Sequence, residues 1–404
     1  MNKSIDFDAA RDLLLDYVTP VTTEKIPLLE SAGRILADDL RALESVPPFD
    51  RSPYDGYALR ASDTVCASKE HPVTLRILEE VPAGAVPTKP VTSMTATKIL
   101  TGAPIPEGAD TVIPYEFTHF TEETVTIFEP KESGSNIVKA GEDICKGQLL
   151  AGKGTSIDTG LMGTLASQSV AAPLIYRRPL VGIISTGSEV IEMTEALSPG
   201  KIRNSNRYTL TAALETIGCE PLYLGIVGDS PDKITAMIME GLDKCDTLLL
   251  TGGVSVGDYD FTPAAMEKAG VKIITRGINM KPGMACAFGV KNDKLVCGLS
   301  GNPSSSLTTF YAVVQPVLKK LAGRSDYMPE EITVTLKHEF KKKSPTTRLL
   351  RGKLDLSDGI VTLVCSKEQG NVVLSSTIGC NAMGIVPAGS GPLAAGTKLK
   401  GFII

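Results

Sequence analysis

Tryptophan is absent from the 404 residues, aromatic side chains make up only 5%, and there are three histidines. So few rings leave little from which to build stacking platforms for single-stranded nucleic acid. His71, His119 and His338 each stand apart from other ligand or nucleophile types, so neither a catalytic triad nor a zinc site is expected on them. The eight cysteines, at 66, 145, 219, 245, 286, 297, 365 and 380, form no CxxC pair, and several sit in apolar runs such as LVCGLS and VTLVCS. Reduced, buried thiols are therefore expected in place of a disulfide or zinc framework. No run approaches the ~18 apolar residues of a membrane span. The opening MNKSIDFDAARDLLLDYV places Phe7, Ala10, Leu13, Leu14 and Val18 at helical spacing among acids, which is not a signal peptide, so a soluble, cytoplasmic chain is expected. A strong charge of one sign is also lacking: 41 Lys+Arg against 46 Asp+Glu gives −5, with no bulk attraction to phosphate backbones or anionic lipid. Neither a nucleic acid nor a membrane is an expected partner.

Glycine (38) and proline (26) are plentiful, and the length is about 2.7 times the ~150 residues of a typical domain, which together point to a turn-rich α/β chain of two to four domains. Residues 1–45 read as an amphipathic helix followed by a short helix and strand. After the Pro-rich loop SVPPFDRSPYDGY come VTLRILEEV, TATKIL, DTVIPYEF and ETVTIF, rich in β-branched residues and separated by turns, an inserted β region. Strands and a helix with Asp158 as its N-cap return over 136–177. From 178 the near-continuous apolar runs PLVGIIST, EPLYLGIVG, DTLLLTGG and VKIITRG alternate with helical stretches, the pattern of buried parallel strands with crossover helices in a three-layer α/β/α domain. After Arg324 short strands again predict a small β-barrel.

Small residues follow the apolar runs directly, in IISTGSE, LGIVGDS, LLLTGGVSVGDYD and CGLSGNPSSS. In an open parallel sheet ligands bind at such strand ends, where backbone N–H groups approach an anion. No GxGxxG follows a strand and GxxxxGK[ST] is absent, so neither a Rossmann dinucleotide site nor a P-loop is signalled. Any one of these loops alone is a tight turn; four in one domain predict a site. They carry Glu189, Asp229, Asp258 and Asp260. Two carboxylates about 4 Å apart repel by roughly 4 kcal/mol at an effective dielectric of about 20, so a cluster calls for a cation, and all-oxygen ligation suits magnesium sharing a phosphate. The plainer reading is that Asp258 and Asp260 cap the helix starting near Phe261. Lys281, ahead of Pro282 and Gly283 in an apolar setting, is placed to meet an anion, against the alternative of a snorkelling surface lysine.

The loop PPFDRSPYDGYA, the stretch ILTGAPIPEGADTVIPYE, AGEDI, STGSE, TGGVSVGDYDFT, KPG and GNPSSS occur in an order that resembles the molybdopterin molybdenumtransferase family, which shares its architecture with the gephyrin E domain. The resemblance covers essentially the whole chain. It implies a mixed domain over 1–45 and 146–177, a β domain over 46–145, a molybdopterin-binding α/β domain over 178–325 and a β-barrel over 326–404. It implies insertion of molybdate, or tungstate in its place, into adenylyl-molybdopterin with release of AMP, and a homodimer whose active site is shared between subunits. Contact with molybdopterin adenylyltransferase is a further partner it suggests. By position the resemblance assigns reaction roles to Asp55, Thr101, Asp143, Glu189, Asp229, Asp260 and Lys281, with Mg2+ held by Glu189, Asp229 and Asp260. The loops containing Ser185, Thr186, Gly187 and Ser188, and Gly252, Gly253, Ser255 and Gly257, would cradle pterin and nucleotide, with Pro303 following. Arg351, Ser375 and Ser376 fall near the family's oxyanion site. The chain departs at Ser300 (GLSGNP for GLPGNP), at Met284 where a second lysine is common, and in a paired-arginine motif where Thr346 takes the first place and Arg348 lies two residues later. The alternative in another class is a non-catalytic molybdopterin carrier or gephyrin-like scaffold; a phosphatase or nucleotide hydrolase lacks its own motif.

Overall fold

The protein is described by a computed structural model over residues 5–255, 260–357 and 359–404. The chain divides into two units, one of Met1–Asp38, Lys153–Thr159 and Ala172–Ile404, the other of Asp39–Gly152 and Gly160–Ala171.

The first unit is built on a six-stranded sheet in the order Glu220–Val227, Leu180–Thr186, Thr247–Thr251, Lys294–Leu299, Ala287–Lys291, Lys272–Arg276. The first four strands are parallel, and alternation explains why each is apolar on both sides. Along the Thr247–Thr251 strand, Leu249 faces a core with Leu210, Leu214 and Phe310, while Leu248 and Leu250 face one with Ile234, Ile238 and Met266. Helices Ser205–Thr216 and Pro231–Lys244 thus cover opposite faces, giving three layers, and each fully buried Leu or Ile contributes roughly 1.5–3 kcal/mol. The four apolar runs read from the sequence all form strands of this sheet pointing the same way, and one further strand is inserted among them in the opposite sense. Ala287–Lys291 is antiparallel to both neighbours, joined to Lys294–Leu299 by a turn in which Asn292 and Asp293 have φ of 50° and 61°. Two adjacent left-handed residues give the tight hairpin twist that Asn and Asp tolerate best. The helix after the TGG loop is Thr262–Lys268, starting next to Phe261, which takes its N-cap position.

The starts of two central strands are tied together by one carboxylate. Asp246 accepts from Arg177 Nη1 and Nη2 at 2.7 and 2.6 Å and from the Leu180 N–H at 2.8 Å. Burial pushes its carboxyl up, but these bonds outweigh it and hold the group below its usual range. A depressed folded value means the stabilisation is present above about pH 4 and is lost as pH falls through that lower value. Asp246→Asn is expected to cost roughly 1.5–3 kcal/mol at neutral pH. The gap in melting temperature between wild type and variant should shrink toward about pH 3.

The same unit ends in a closed five-stranded barrel. Thr347–Asp355, Thr362–Cys365, Glu331–Leu336, Lys398–Ile403 and Ala382–Val386 pair in that order, and the last returns to the first. Val334, Leu350, Leu363, Val386 and Leu399 fill it. A sixth short strand, Met280–Lys281, leaves the α/β part and pairs in parallel with Thr347–Arg348, setting Lys281 opposite Arg348.

The second unit is the β-rich insertion. Its sheet runs Thr111–Pro114, Gly56–Leu59, Thr95–Ile99, Val73–Val81, Thr124–Ile127, Thr118–Phe120, over a core containing Tyr57, Leu59, Leu75 and Ile113.

Candidate functional site

The carboxyl ends of the four parallel strands open on one cavity of about 820 Å3. Ser185 and Thr186 end the Leu180–Thr186 strand and Gly187 and Glu189 follow it; Asp229 lies beyond Glu220–Val227. Gly252, Gly253 and Ser255 continue from Thr247–Thr251, and Ser300, Asn302 and Pro303 from Lys294–Leu299, with Asp260 completing the wall. The glycine at 252 is dictated by space. Its φ is +103°, and a Cβ there would sit 2.6 Å from the Thr186 carbonyl oxygen and 2.7 Å from Thr186 Oγ1. Thr186 Oγ1 in turn donates to Thr251 O and Thr262 Oγ1 to Gly252 O, so the two loops are locked together. The N-terminus of the twelve-residue helix Ser205–Thr216, capped by Asn204 accepting from the Arg207 N–H, also faces the cavity through Asn204, Ser205 and Asn206. Unpaired N–H groups and the helix dipole favour an anion at such a point.

Asn204 belongs to a buried network that sequence reading missed. Its amide donates to Ser185 Oγ and Tyr223 Oη, both at 3.0 Å, and Tyr223 donates to Glu192 at 2.7 Å. Arg207 also donates to Glu192, at 2.8 Å, and its guanidinium lies 3.9 Å from the Tyr223 ring centroid. Burial pushes the Glu192 carboxyl up, but the bonds from Tyr223 and Arg207 bring it below its usual range.

Glu189, Asp229 and Asp260 line the same cavity. Among the described residues no three His, Cys, Asp or Glu side chains converge to hold a metal ion. Magnesium uses one or two carboxylates plus substrate phosphates, so the donors fit a cation shared with a ligand and not a protein cage. Ser188 is off the wall. It steadies Asp229, whose Oδ2 accepts from the Ser188 N–H at 2.9 Å while Ser188 Oγ accepts from the Asp229 N–H at 3.2 Å. Gly257 and Asp258 lie outside the described residues.

Ser255, Ala285, Ser300 and Asn302 are shared with a second cleft of about 440 Å3. Lys281, Lys342 and Arg348 line it, and among the described residues no Asp or Glu does. Three cations lining one cleft favour a multiply charged anion. Gly283 makes room at its base: φ is +109°, and a Cβ would lie 2.2 Å from Thr309 Oγ1. Met284 and Lys342, the latter from the KKK run ahead of the barrel strand Thr347–Asp355, both line the cleft. That run reads locally as a solvated surface, whereas Arg348 stands out in the sequence only as a displaced member of the paired-arginine motif, and the strand pairing sets it opposite Lys281.

Arg351 is placed differently from the expectation. It is 1% exposed and lies behind the cleft, with Nε donating to Ser376 Oγ at 3.1 Å. Ser376 is likewise buried, and Ser375 is exposed on the adjoining Leu374–Thr377 turn. Arg348 is therefore the arginine on the cleft wall.

Asp55, Thr101 and Asp143 belong to the second unit. Asp55 Oδ1 accepts from the Thr101 N–H at 2.7 Å and from Thr101 Oγ1 at 2.8 Å, which holds its carboxyl below the usual range. The Asp143 loop is joined to the Pro47 loop by the Val46–Ile144 bridge, and Asp50 ties Lys139 and Ala140 at 2.8 Å each.

Comparison with known proteins matches residues 5–169 to the MoeA N-terminal region (domain I and II) and residues 182–320 to a probable molybdopterin binding domain. The molybdopterin molybdenumtransferase of Bacillus subtilis is 39% identical over 390 residues, 95% of this chain and 90% of that protein. The Staphylococcus epidermidis protein of the same name is 35% identical, over 96% of this chain and 93% of its own. Among solved structures, the molybdopterin biosynthesis moeA protein of Pyrococcus horikoshii OT3 aligns over 100% of both chains with a TM-score of 0.86 and 31% identity.

Proposed function

Because the chain belongs to the molybdopterin molybdenumtransferase family, an enzyme family of molybdenum cofactor biosynthesis, we propose that it joins molybdate to adenylyl-molybdopterin with release of AMP. The observation that carries this reading is the adjacency of two unlike subsites. An acid-lined cavity with a helix N-terminus and Gly loops suits a nucleotide-linked pterin, and the neighbouring three-cation cleft suits a tetrahedral oxyanion such as molybdate or tungstate. Dithiolene, phosphoanhydride and oxyanion all repel one another, so positioning and charge compensation carry the catalysis.

Glu189, Asp229 and Asp260 would hold Mg2+ together with the phosphates, and the bound ion would neutralise the anhydride as AMP leaves. Lys281, Lys342 and Arg348 hold the oxyanion, and the Gly252–Gly253 loop orients the adenylylated pterin. Incubating the protein with adenylyl-molybdopterin, magnesium and molybdate should release AMP in step with loaded cofactor. Binding without AMP release would make it a carrier.

In this reading the working site is composite: Asp55, Thr101 and Asp143 approach the cavity from the partner in a two-fold homodimer. Pro47, Pro48 and Pro53 limit the freedom of the Asp55 loop, and Thr101 fixes the carboxylate. Mixing inactive Asp55→Ala and Asp260→Ala subunits should restore up to one intact site per heterodimer. Verified subunit exchange between folded variants without recovered activity would place both residues within one chain.

A further inference from the structure

The three-residue stretch Gln369–Gly370–Asn371 lines the cation cleft, and the next residue, Val372, lines the larger cavity. One short loop from the barrel therefore forms wall for both subsites. It is held from beneath. Arg351 Nη2 donates to Gly370 O at 3.2 Å, its Nη1 approaches Thr308 Oγ1 at 3.5 Å, and its Nε donates to Ser376 Oγ, which donates on to Val373 O at 2.6 Å. The Arg351 main chain is clasped by the buried Gln369 side chain: the Arg351 N–H donates to Oε1 at 3.0 Å and Nε2 donates to Arg351 O at 2.9 Å. On the α/β side, Ser304 Oγ donates to Gly370 O and the Ser305 N–H to Asn371 O, at 3.2 and 3.3 Å.

A guanidinium in such a place is costly to keep. Among the described residues no carboxylate pairs with Arg351. Its titratable neighbours include the thiols of Cys365 and Cys380, which burial pushes up and keeps neutral. An uncompensated buried charge is disfavoured, and an apolar side chain of similar size would fill the space without that cost. What an apolar residue cannot supply is a planar fork of donors reaching three separate acceptors at once.

We infer that Arg351 is a positioning residue: its fork fastens the 369–372 loop to the Pro303–Thr309 helix and the Leu374–Thr377 turn, so that one buried side chain sets the shape of both the oxyanion cleft and the neighbouring cavity. The ligand side of this inference rests on the reading of the two subsites given above; the anchoring itself does not.

The test uses the full chain, with wild type, Arg351→Lys, Ser376→Ala and Thr308→Val. Amide exchange of residues 369–374 reads the anchor without any ligand, and titrations with tungstate and with AMP read the two walls. Arg351→Lys retains the charge but not the fork, so exchange in the loop should rise at least tenfold and both ligands should weaken at least tenfold. Ser376→Ala and Thr308→Val should each produce a smaller shift of the same kind, on the order of threefold, with melting temperature nearly unchanged. Loss of tungstate affinity in Arg351→Lys with loop exchange as in wild type would make Arg351 an anion ligand and overturn the inference. So would a loosened loop with both affinities intact. A wild-type protein that binds AMP but not tungstate would count against the oxyanion reading of the cleft, while loop exchange and AMP affinity would still decide the anchor.

Discussion

Asp229→Asn should lower turnover on the order of 100-fold, about 2.7 kcal/mol of transition-state stabilisation, while leaving the fold almost untouched. The separation of the two effects follows from local geometry. An asparagine keeps an oxygen to accept the Ser188 N–H now bound at 2.9 Å, and the Asp229 N–H still reaches Ser188 Oγ, so the loop retains its shape. Only the negative charge facing the cavity is lost. If that charge holds magnesium against the phosphoanhydride, raising the metal concentration should recover part of the rate, and chelator should abolish turnover in wild type and variant alike. Unchanged turnover in the variant, or full turnover in chelator, would remove Asp229 from metal binding and return it to a loop-forming role. Melting temperature read alongside guards against mistaking an unfolded sample for an inactive one.

Lys281→Ala and Lys342→Ala should each weaken molybdate or tungstate binding by about tenfold to a hundredfold, or roughly 1.4–2.7 kcal/mol, with AMP affinity much less affected. Both side chains are exposed at the lip of the cleft, so truncation leaves no buried cavity, and the loss should grow smaller as salt is raised. Lys281 is the stronger case because its backbone is paired to Arg348 and its position is fixed. Lys342 offers a sharper discrimination. Met284 occupies the same cleft, so adding Met284→Lys to the Lys342→Ala protein should return the missing charge and restore much of the affinity. A Lys342→Ala protein that binds tungstate like wild type would mean that the KKK run is only a solvated face.

The α/β layers, the β insertion and the barrel were legible because their signals are local. Runs such as LVGIIST and DTLLL are apolar without alternation, and the strand-end loops bearing Ser185, Gly252 and Asn302 follow at once. The edge hairpin was missed although Asn292–Asp293 is a turn signal, because the flanking AFGV and KLVCGL are also compatible with a buried parallel run. Half of the candidate site was equally readable: Glu189, Asp229, Asp260 and Lys281 sit beside the loops that place them. The other half depends on pairings across distance. Lys342 and Arg348 enter the cleft from a barrel that begins some fifty residues after the KPG turn, and nothing near them in sequence names their neighbours. Arg351 shows the limit in the opposite direction, since motif position alone does not distinguish a side chain on a wall from one three residues away that braces the wall from behind.

Vectorial synthesis imposes an order on this fold. The Phe7–Leu15 helix packs Phe7 and Leu14 into a core with Phe310, Val313 and Val317, and Lys320 Nζ donates to Leu15 O across 305 residues of chain. At about 5–20 residues per second the ribosome needs roughly 15–60 s to supply those partners. The sheet of the inserted unit is complete long before then, its last strand being Thr124–Ile127, whereas the helix that opens the chain waits with its apolar stripe uncovered. A nascent chain stalled after Ala171 and before Phe310 therefore carries a finished β unit and an amphipathic segment still lacking its Phe310, Val313 and Val317 partners, a form that a holdase recognising short apolar stripes would bind and that the completed protein would not offer.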